Sequence, residues 1–262
     1  MGVLPRHKAF GGIMSQADHS ISAAILVIGD EILSGRTKDK NIGFIADYLM
    51  ALGIDLREVR IVADDEQDII DAVNALRQRY TYLFTTGGIG PTHDDITADA
   101  IAKALGLELY EDPRIIALML ERLKPEDLNE ARRRMARIPR GADHVENKIS
   151  KVPGFMIENV IVMAGVPAIM QTMLDSVAPR LRTGAKMIVE TLESVGLPEG
   201  LYAKGLGEVA ALYPSVSIGS YPSFGEGRFK NSIVVRGKDA EQVAAAVTAV
   251  QELMDRLRAE QA

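Results

Sequence analysis

Three apolar runs near the start of the chain constrain it more than any other feature, because each breaks off into glycine or acid and is followed by a helical pattern. Residues 23–28 (AAILVI) lead into Gly29, Asp30 and Glu31; residues 56–62 lead into Asp64, Asp65 and Glu66; residues 82–86 (YLFTT) lead into Gly87 and Gly88. The first run has no polar face and reads as a buried strand. Between the runs, Ile42, Ile45, Ala46, Leu49 and Leu52 recur at helical spacing before Gly53. Ile69, Ile70, Val73 and Leu76 do the same after Asp65. Strands alternating with helices of this length imply βαβ units, hence an α/β fold with a three-layer, mostly parallel sheet.

The pattern loosens after the third unit. Residues 112–137 read as two helical segments broken near Pro125, and 145–155 as irregular hairpin and loop. The run 160–164 (VIVMA) is a further buried strand ended by Gly165, Val166 and Pro167. A helix follows with Pro167 in its first turn, where a missing N–H costs nothing. Its apolar face is Ile169, Met170, Met173, Leu174 and Val177. From about Lys186 the order becomes strand, helix, two strands and a long helix with Val243, Val247, Val250, Met254 and Leu257 on one stripe. The expected organisation is a leader at 1–20, disordered, with Met14 as an alternative start, a main domain at 21–184 and a small α/β domain at 185–262. The small unit is too short to be very stable alone and is expected to dock on the main one.

Composition removes several classes of function. Only 5% of the 262 residues are aromatic, which weighs against a stacking platform for single-stranded nucleic acid. A net charge of -6 weighs against a phosphate-tracking basic face, so no nucleic-acid partner is expected. With no Cys there is no disulfide framework, thiolate zinc site or cysteine nucleophile. No run approaches the roughly 20 apolar residues a membrane span needs, and the leader lacks a proper apolar core. A cytoplasmic protein with no membrane partner is the expectation.

The chemistry concentrates in TTGGIGPTHDDIT (85–97). Gly87, Gly88 and Gly90 remove side chains where the chain turns off a strand, so backbone N–H groups can approach a ligand. A helix expected to begin near Asp95 adds its N-terminal N–H groups, and together these make an anion site. The alternative is a tight turn with Asp95 as helix N-cap. No Lys-Ser or Lys-Thr follows at P-loop spacing, so a Walker A site is excluded. Gly88 and Gly90 imitate a dinucleotide fingerprint, with Glu108 placed for a ribose, but His93 stands where the third glycine belongs. Asp94 and Asp95 would also repel a bare pyrophosphate. Acids beside a phosphate cradle make sense when a divalent cation bridges them to the ligand, or when they accept from a base or pterin ring. In a parallel sheet the loops leaving the strand ends converge on one edge, which brings Asp30, Asp64 and Asp95 toward one cleft. Taken singly, each acid reads as a cap or a solvated loop residue. The run Arg132, Arg133, Arg134 with Arg137 and Arg140 is read as a solvated face before a phosphate clamp. His93 is read as a loop histidine before a proton-transfer group.

Several segments together resemble the MoaB/Mog molybdopterin-binding domain family, in the branch of the CinA-type competence/damage-inducible proteins and eukaryotic FAD synthase. They are GDEILSGRTKDKN (29–41), IVADDE (61–66), the glycine loop, residues 139–154 and MAGVP (163–167). SIGSYP (217–222) is similar to the small domain of the FAD synthase type, so the likeness covers 21 to about 258. The resemblance implies a pterin or nucleotide site with Asp64 and Asp95 at its centre. Ala63 stands where the family often has Pro, which loosens that loop but keeps the acid. It extends the ligand-binding set to Gly29, Asp30, Glu31, Thr86, Gly87, Gly88, Gly90, Pro91, Thr97, Asn147, Gly165 and Pro167. Asp64, Asp94 and Asp95 become the catalytic candidates, and Asp30, Asp64 and Asp95 the ligands of a divalent metal (Mg, Mn or Co). Two chemistries follow from the family: metal-dependent cleavage of the pyrophosphate in ADP-ribose or FAD, and binding or adenylylation of molybdopterin. Both need cradle, cation and carboxylates, so the residues leave them open, with a non-catalytic module as the third reading. The chain is too short for the deamidase domain of CinA-type proteins or the FAD-making half of FAD synthase, and neither activity is expected. A homo-oligomer, dimer or trimer, is implied by the resemblance alone.

Overall fold

The computed structural model describes residues 21–225 and 228–261. The expected leader at 1–20 lies outside the described residues. The chain opens with β1 (Ser22–Ile28), the single turn α1 (Asp30–Leu33), α2 (Asn41–Ala51) and β2 (Asp55–Val62). Next come α3 (Glu66–Arg79), β3 (Tyr82–Thr86) and α4 (Thr97–Leu105). An excursion follows, made of β4 (Leu109–Glu111), α5 (Pro113–Leu120), α6 (Glu130–Arg134) and β5 (Arg137–Pro139). The chain returns through β6 (Asp143–Val145), β7 (Gly154–Ile157) and β8 (Val160–Met163) to α7 (Pro167–Val177). The last part is β9 (Ile188–Val195), α8 (Glu199–Leu212), β10 (Ser217–Gly225), β11 (Arg228–Gly237) and α9 (Ala240–Gln261).

Six strands form the central sheet in the order β2-β1-β3-β8-β7-β6. The first four are parallel; β7 runs antiparallel to β8, and β6 antiparallel to β7. Strand β1 explains the layering. Its side chains alternate, so Ala24, Leu26 and Ile28 face the core shared with α3, α4 and α5, whereas Ala23, Ile25 and Val27 face α2 and α7. A strand apolar on both faces demands helices on both, which gives the three-layer sandwich expected from its sequence. A separate three-stranded antiparallel sheet, β10-β11-β9, carries α8 and α9 and has its own core around Tyr202, Ile233, Val235 and Val250. Lys238 Nζ of this part reaches Asp55 at 2.8 Å.

Two local departures from the sequence reading bear on the site. The middle keeps its two helical segments broken near Pro125, but β4 and β5, which the sequence reading did not include, pair antiparallel on either side of α5 and α6. Helix α4 begins at Thr97, two residues later than expected; its N-cap is Ile96, with no side-chain cap. The reason is that the carboxylate of Asp95 has other partners, described next.

Candidate functional site

Because β1, β2, β3 and β8 are parallel, the loops after them leave one edge of the sheet. Gly87 fixes how closely they meet. Its φ is 103° and its N–H donates to the Met163 carbonyl at 3.2 Å; a Cβ there would stand 2.1 Å from the Ile28 carbonyl oxygen. Only glycine can cross the end of β1 at that distance. The same contact brings Gly165 against Gly87, with 3.4 Å between its ideal Cβ position and the Gly87 Cα. Gly88 is held from the other side: Thr97 is buried, its Oγ1 donates to the Gly87 carbonyl at 3.0 Å, and its N–H donates to the Gly88 carbonyl at 3.1 Å. Thr97 therefore sets the loop from beneath.

Asp95 closes the loop on itself. One carboxylate oxygen accepts from the Gly90 N–H at 2.6 Å, and the other from the Thr92 N–H at 2.9 Å and the Thr92 hydroxyl at 2.6 Å. Three donors on one carboxylate make it a staple for the turn, and the N-cap alternative does not hold. The real N-cap among these acids is Asp65, which accepts from Gln67 and Asp68 at the start of α3.

The acids that do gather are Asp30, Glu31, Asp64 and Asp94. Asp64 is half-buried and accepts a hydrogen bond from the Asp30 N–H at 3.0 Å. Burial pushes its carboxyl above the usual range and the Asp30, Glu31 and Asp94 charges push it further, against the lowering effect of the Asp30 N–H. Asp94 is exposed, and its pKa is held down by a hydrogen bond from Thr92 and by its own N–H, with help from His93 and Arg134. Glu31 lies over Gly29, where a Cβ would stand 2.6 Å from its carboxylate. Of the acids named from sequence, Asp30, Asp64 and Asp94 are thus brought together, while Asp95 is occupied in the loop. Among the described residues no three His, Asp or Glu side chains form a ready-made metal-ligand group.

The remaining candidates divide. Thr86 is buried at the end of β3, and its hydroxyl has no partner among the described residues. Pro91 and Gly165 are exposed, and Pro167 opens α7 behind Val166. Asn147 is buried and fully used: its amide donates to Ser150 and Val152, and its oxygen accepts from Ile149 and Ser150. It fixes its own loop, where the resemblance had placed it in the ligand-binding set. Sequence reasoning missed Asn41. Its amide donates to the Gly165 carbonyl at 2.8 Å and its buried oxygen has no partner among the described residues. The available signal was a polar residue on the buried face of α2, inside the segment 29–41.

Three arginines of the basic run are already paired. Arg133 pairs with Glu111, Arg137 with Asp99 at 2.9 Å, and Arg140 with Glu108 at 2.7 Å while stacking on Tyr110. The Arg140 pair also occupies the acid that a dinucleotide fingerprint would have reserved for a ribose.

Comparison with known proteins agrees with this geometry. Residues 24–183 match the family described as "Probable molybdopterin binding domain", and 187–261 match "FAD synthase, middle domain". The chain belongs to the molybdopterin-binding domain family, with the FAD synthase middle-domain type following it, as its motifs implied. It is 33% identical over 234 residues to a protein of Archaeoglobus fulgidus, spanning 88% of this chain and 97% of that one. It is 30% identical over 259 residues to a probable FAD synthase of Caenorhabditis elegans, covering 89% of this chain but 50% of that relative. The chain therefore spans about half that relative's length. A solved structure of the protein CinA, of unknown function, from Thermoplasma acidophilum superposes with TM-score 0.58 at 31% identity, over 62% of this chain and 98% of that one. Among the described residues no helix is long and apolar enough to cross a membrane.

Proposed function

We propose that this sheet edge binds a phosphate-bearing nucleotide or pterin, and that the chain is a divalent-metal-dependent pyrophosphatase acting on dinucleotides of the ADP-ribose or FAD class. The observation that carries the reading is Asp64, a half-buried carboxylate kept beside three other acids with no cationic side chain among its hydrogen-bond partners. The donor set suits a hard cation, which takes oxygen ligands. Carboxylates spread over three loops suit Mg²⁺ or Mn²⁺, which bind through one or two carboxylates with water and substrate phosphates completing the shell. Asp30, Glu31, Asp64 and Asp94 are the residues that would hold it. When bound, the ion would neutralise charge building on the phosphates.

The chain's own groups divide the remaining work. The N–H groups of Gly87, Gly90 and Thr92 are already used within the chain, so the phosphates would be oriented by other N–H groups of the glycine loop, those of Gly88 and Ile89 among them. Asp64, with its raised pKa, accepts a proton from a water whose oxygen bonds to one phosphorus as the bridging P–O bond breaks, releasing AMP and a second monophosphate. The test is to incubate the pure chain with ADP-ribose or FAD and Mg²⁺, Mn²⁺ or Co²⁺ and to follow AMP. Asp64→Asn should lower kcat by about 100-fold or more. No AMP with any of the three metals defeats the proposal.

The family description favours a second reading, in which the same edge binds molybdopterin and the chain serves as a binding protein or adenylyltransferase of molybdenum-cofactor synthesis. Calorimetry with molybdopterin separates the two. Assembly as a dimer or trimer and a cytoplasmic location belong to both readings, on family likeness.

A further inference from the structure

Outside the glycine loop lies a second concavity, an open groove of about 500 Å³ between the loop and α6. Pro91, His93, Glu130, Arg133, Arg134 and Arg137 line it. Its arginines are not equivalent. Arg133 and Arg137 are neutralised by Glu111 and Asp99, pairs that tie the excursion to β4 and α4. Arg134 has no carboxylate partner among the described residues. Its Nη2 donates only to main-chain carbonyls, to Asp95 at 3.3 Å and His93 at 3.5 Å, both long for charge-assisted bonds. Its Nε is buried with no partner among the described residues, and so is that of Arg137.

A guanidinium stays charged at any pH the fold survives. Arg134 therefore brings an unmatched positive charge and unused donors to the wall of a groove roomy enough for a ligand. Glu111, which pairs with Arg133, and the exposed Glu130 also line the groove, so its positive charge is modest and suits one compact anion rather than a polyanion.

We infer that this groove is a phosphate-binding site, with Arg134 as its principal donor and His93 at its rim. It does not depend on the pyrophosphatase reading, because none of the acids that would hold the cation, Asp30, Glu31, Asp64 and Asp94, lines it. Such a phosphate arrives either as the free anion or on a nucleotide. Both share the chemistry that a guanidinium recognises, two oxygens facing a planar fork.

The experiment is calorimetry on the full chain with inorganic phosphate and, separately, AMP. Both should bind, and Arg134→Gln should weaken each by about tenfold or more. Arg57→Gln, on the exposed strand β2, should change neither. Tighter binding of AMP than phosphate assigns the group to a nucleotide, and equal binding assigns the free anion. Should Arg134→Gln fail to fold, arginine modification by phenylglyoxal read by mass spectrometry serves on the unaltered chain, where phosphate should protect Arg134 selectively. Absence of binding at millimolar phosphate, equal binding by Arg134→Gln, or modification of Arg134 undiminished by phosphate overturns the inference.

Discussion

Asp112 and Asp64 are the same residue type in opposite surroundings. Asp112, the N-cap of α5, is fully buried and accepts from the Arg114 N–H at 2.8 Å, the Arg114 guanidinium at 2.6 and 3.0 Å and the Tyr110 hydroxyl at 2.9 Å. His144 Nε2 stands 3.3 Å away. The Arg114 bonds hold its carboxyl far below the usual range, against the opposing effect of burial. Asp64 is only half-buried and receives one N–H; burial first, and then its three acid neighbours, raise it. Charge at Asp112 is consumed in holding β4, α5 and β6 together. At Asp64 it is left uncompensated at the one edge where four loops meet. A fold stable on its own terms has no use for that arrangement, so the difference separates residues that serve the fold from residues kept for a ligand.

The comparison breaks most visibly at Asp112. Asp112→Ala removes the cap and leaves the Arg114 N–H and the Tyr110 hydroxyl without their acceptor, while the half-exposed Arg114 guanidinium turns to water, so unfolding in urea should show a loss of about 2–4 kcal/mol. The pH dependence has a definite sign. A carboxyl lowered in the folded state contributes stability that is present above its unfolded pKa near 3.9 and is lost as pH falls from there toward the folded value. The native chain should therefore weaken in acid more steeply than the variant. A cost below about 1 kcal/mol would erase the distinction between the two regions.

Asp95 tests the comparison from inside the glycine loop. It was grouped with Asp64 as a site acid, yet its three hydrogen bonds place it with Asp112. Asp95→Ala leaves the Gly90 and Thr92 N–H groups to find water, an expected cost of about 1–3 kcal/mol. Faster amide exchange should appear at those two residues. An unchanged melting curve with unchanged exchange would return Asp95 to the ligand set.

What could be read in advance follows from how local each cause is. The alternation of residues 23–28 and the spacing of Ile69, Val73 and Leu76 are properties of contiguous sequence, so layers and helix faces were legible. So was the gathering of Asp30 and Asp64, because parallel strands send their loops to one edge. The β4–β5 pair was not, since two three-residue strands at 109–111 and 137–139 carry no period long enough to detect. Asp95 misled because an acid before a helix is normally a cap. Its actual bonds depend on how Gly90 and Thr92 fold back, which spacing does not encode. Asn41 was missed, and Arg134 could not be told from its neighbours in the arginine run, for a related reason: their partners, Gly165 and the carbonyls of His93 and Asp95, are main-chain atoms far along the chain.

The smallest expected effect is the most telling, because its sign is opposite to the others. Asp64 has its pKa raised in the folded state, so folding takes up protons and the folded form loses stability as pH rises from the unfolded pKa through the folded one. Above that window the charged carboxylate works against the fold. Asp64→Asn keeps the shape and removes the charge, and should raise Tm by about 1–2 °C at neutral pH, a modest shift because Asp64 is partly solvated. The gain should shrink to nothing in acid, where the native carboxyl is already neutral. A cation binding at the cluster should reverse the order, since only the native chain has the charge to hold it, and Mg²⁺ or Mn²⁺ should then stabilise the native chain above the variant. If Asp64→Asn instead lowers Tm at neutral pH, the carboxylate belongs with Asp112 and Asp95 as part of the fold.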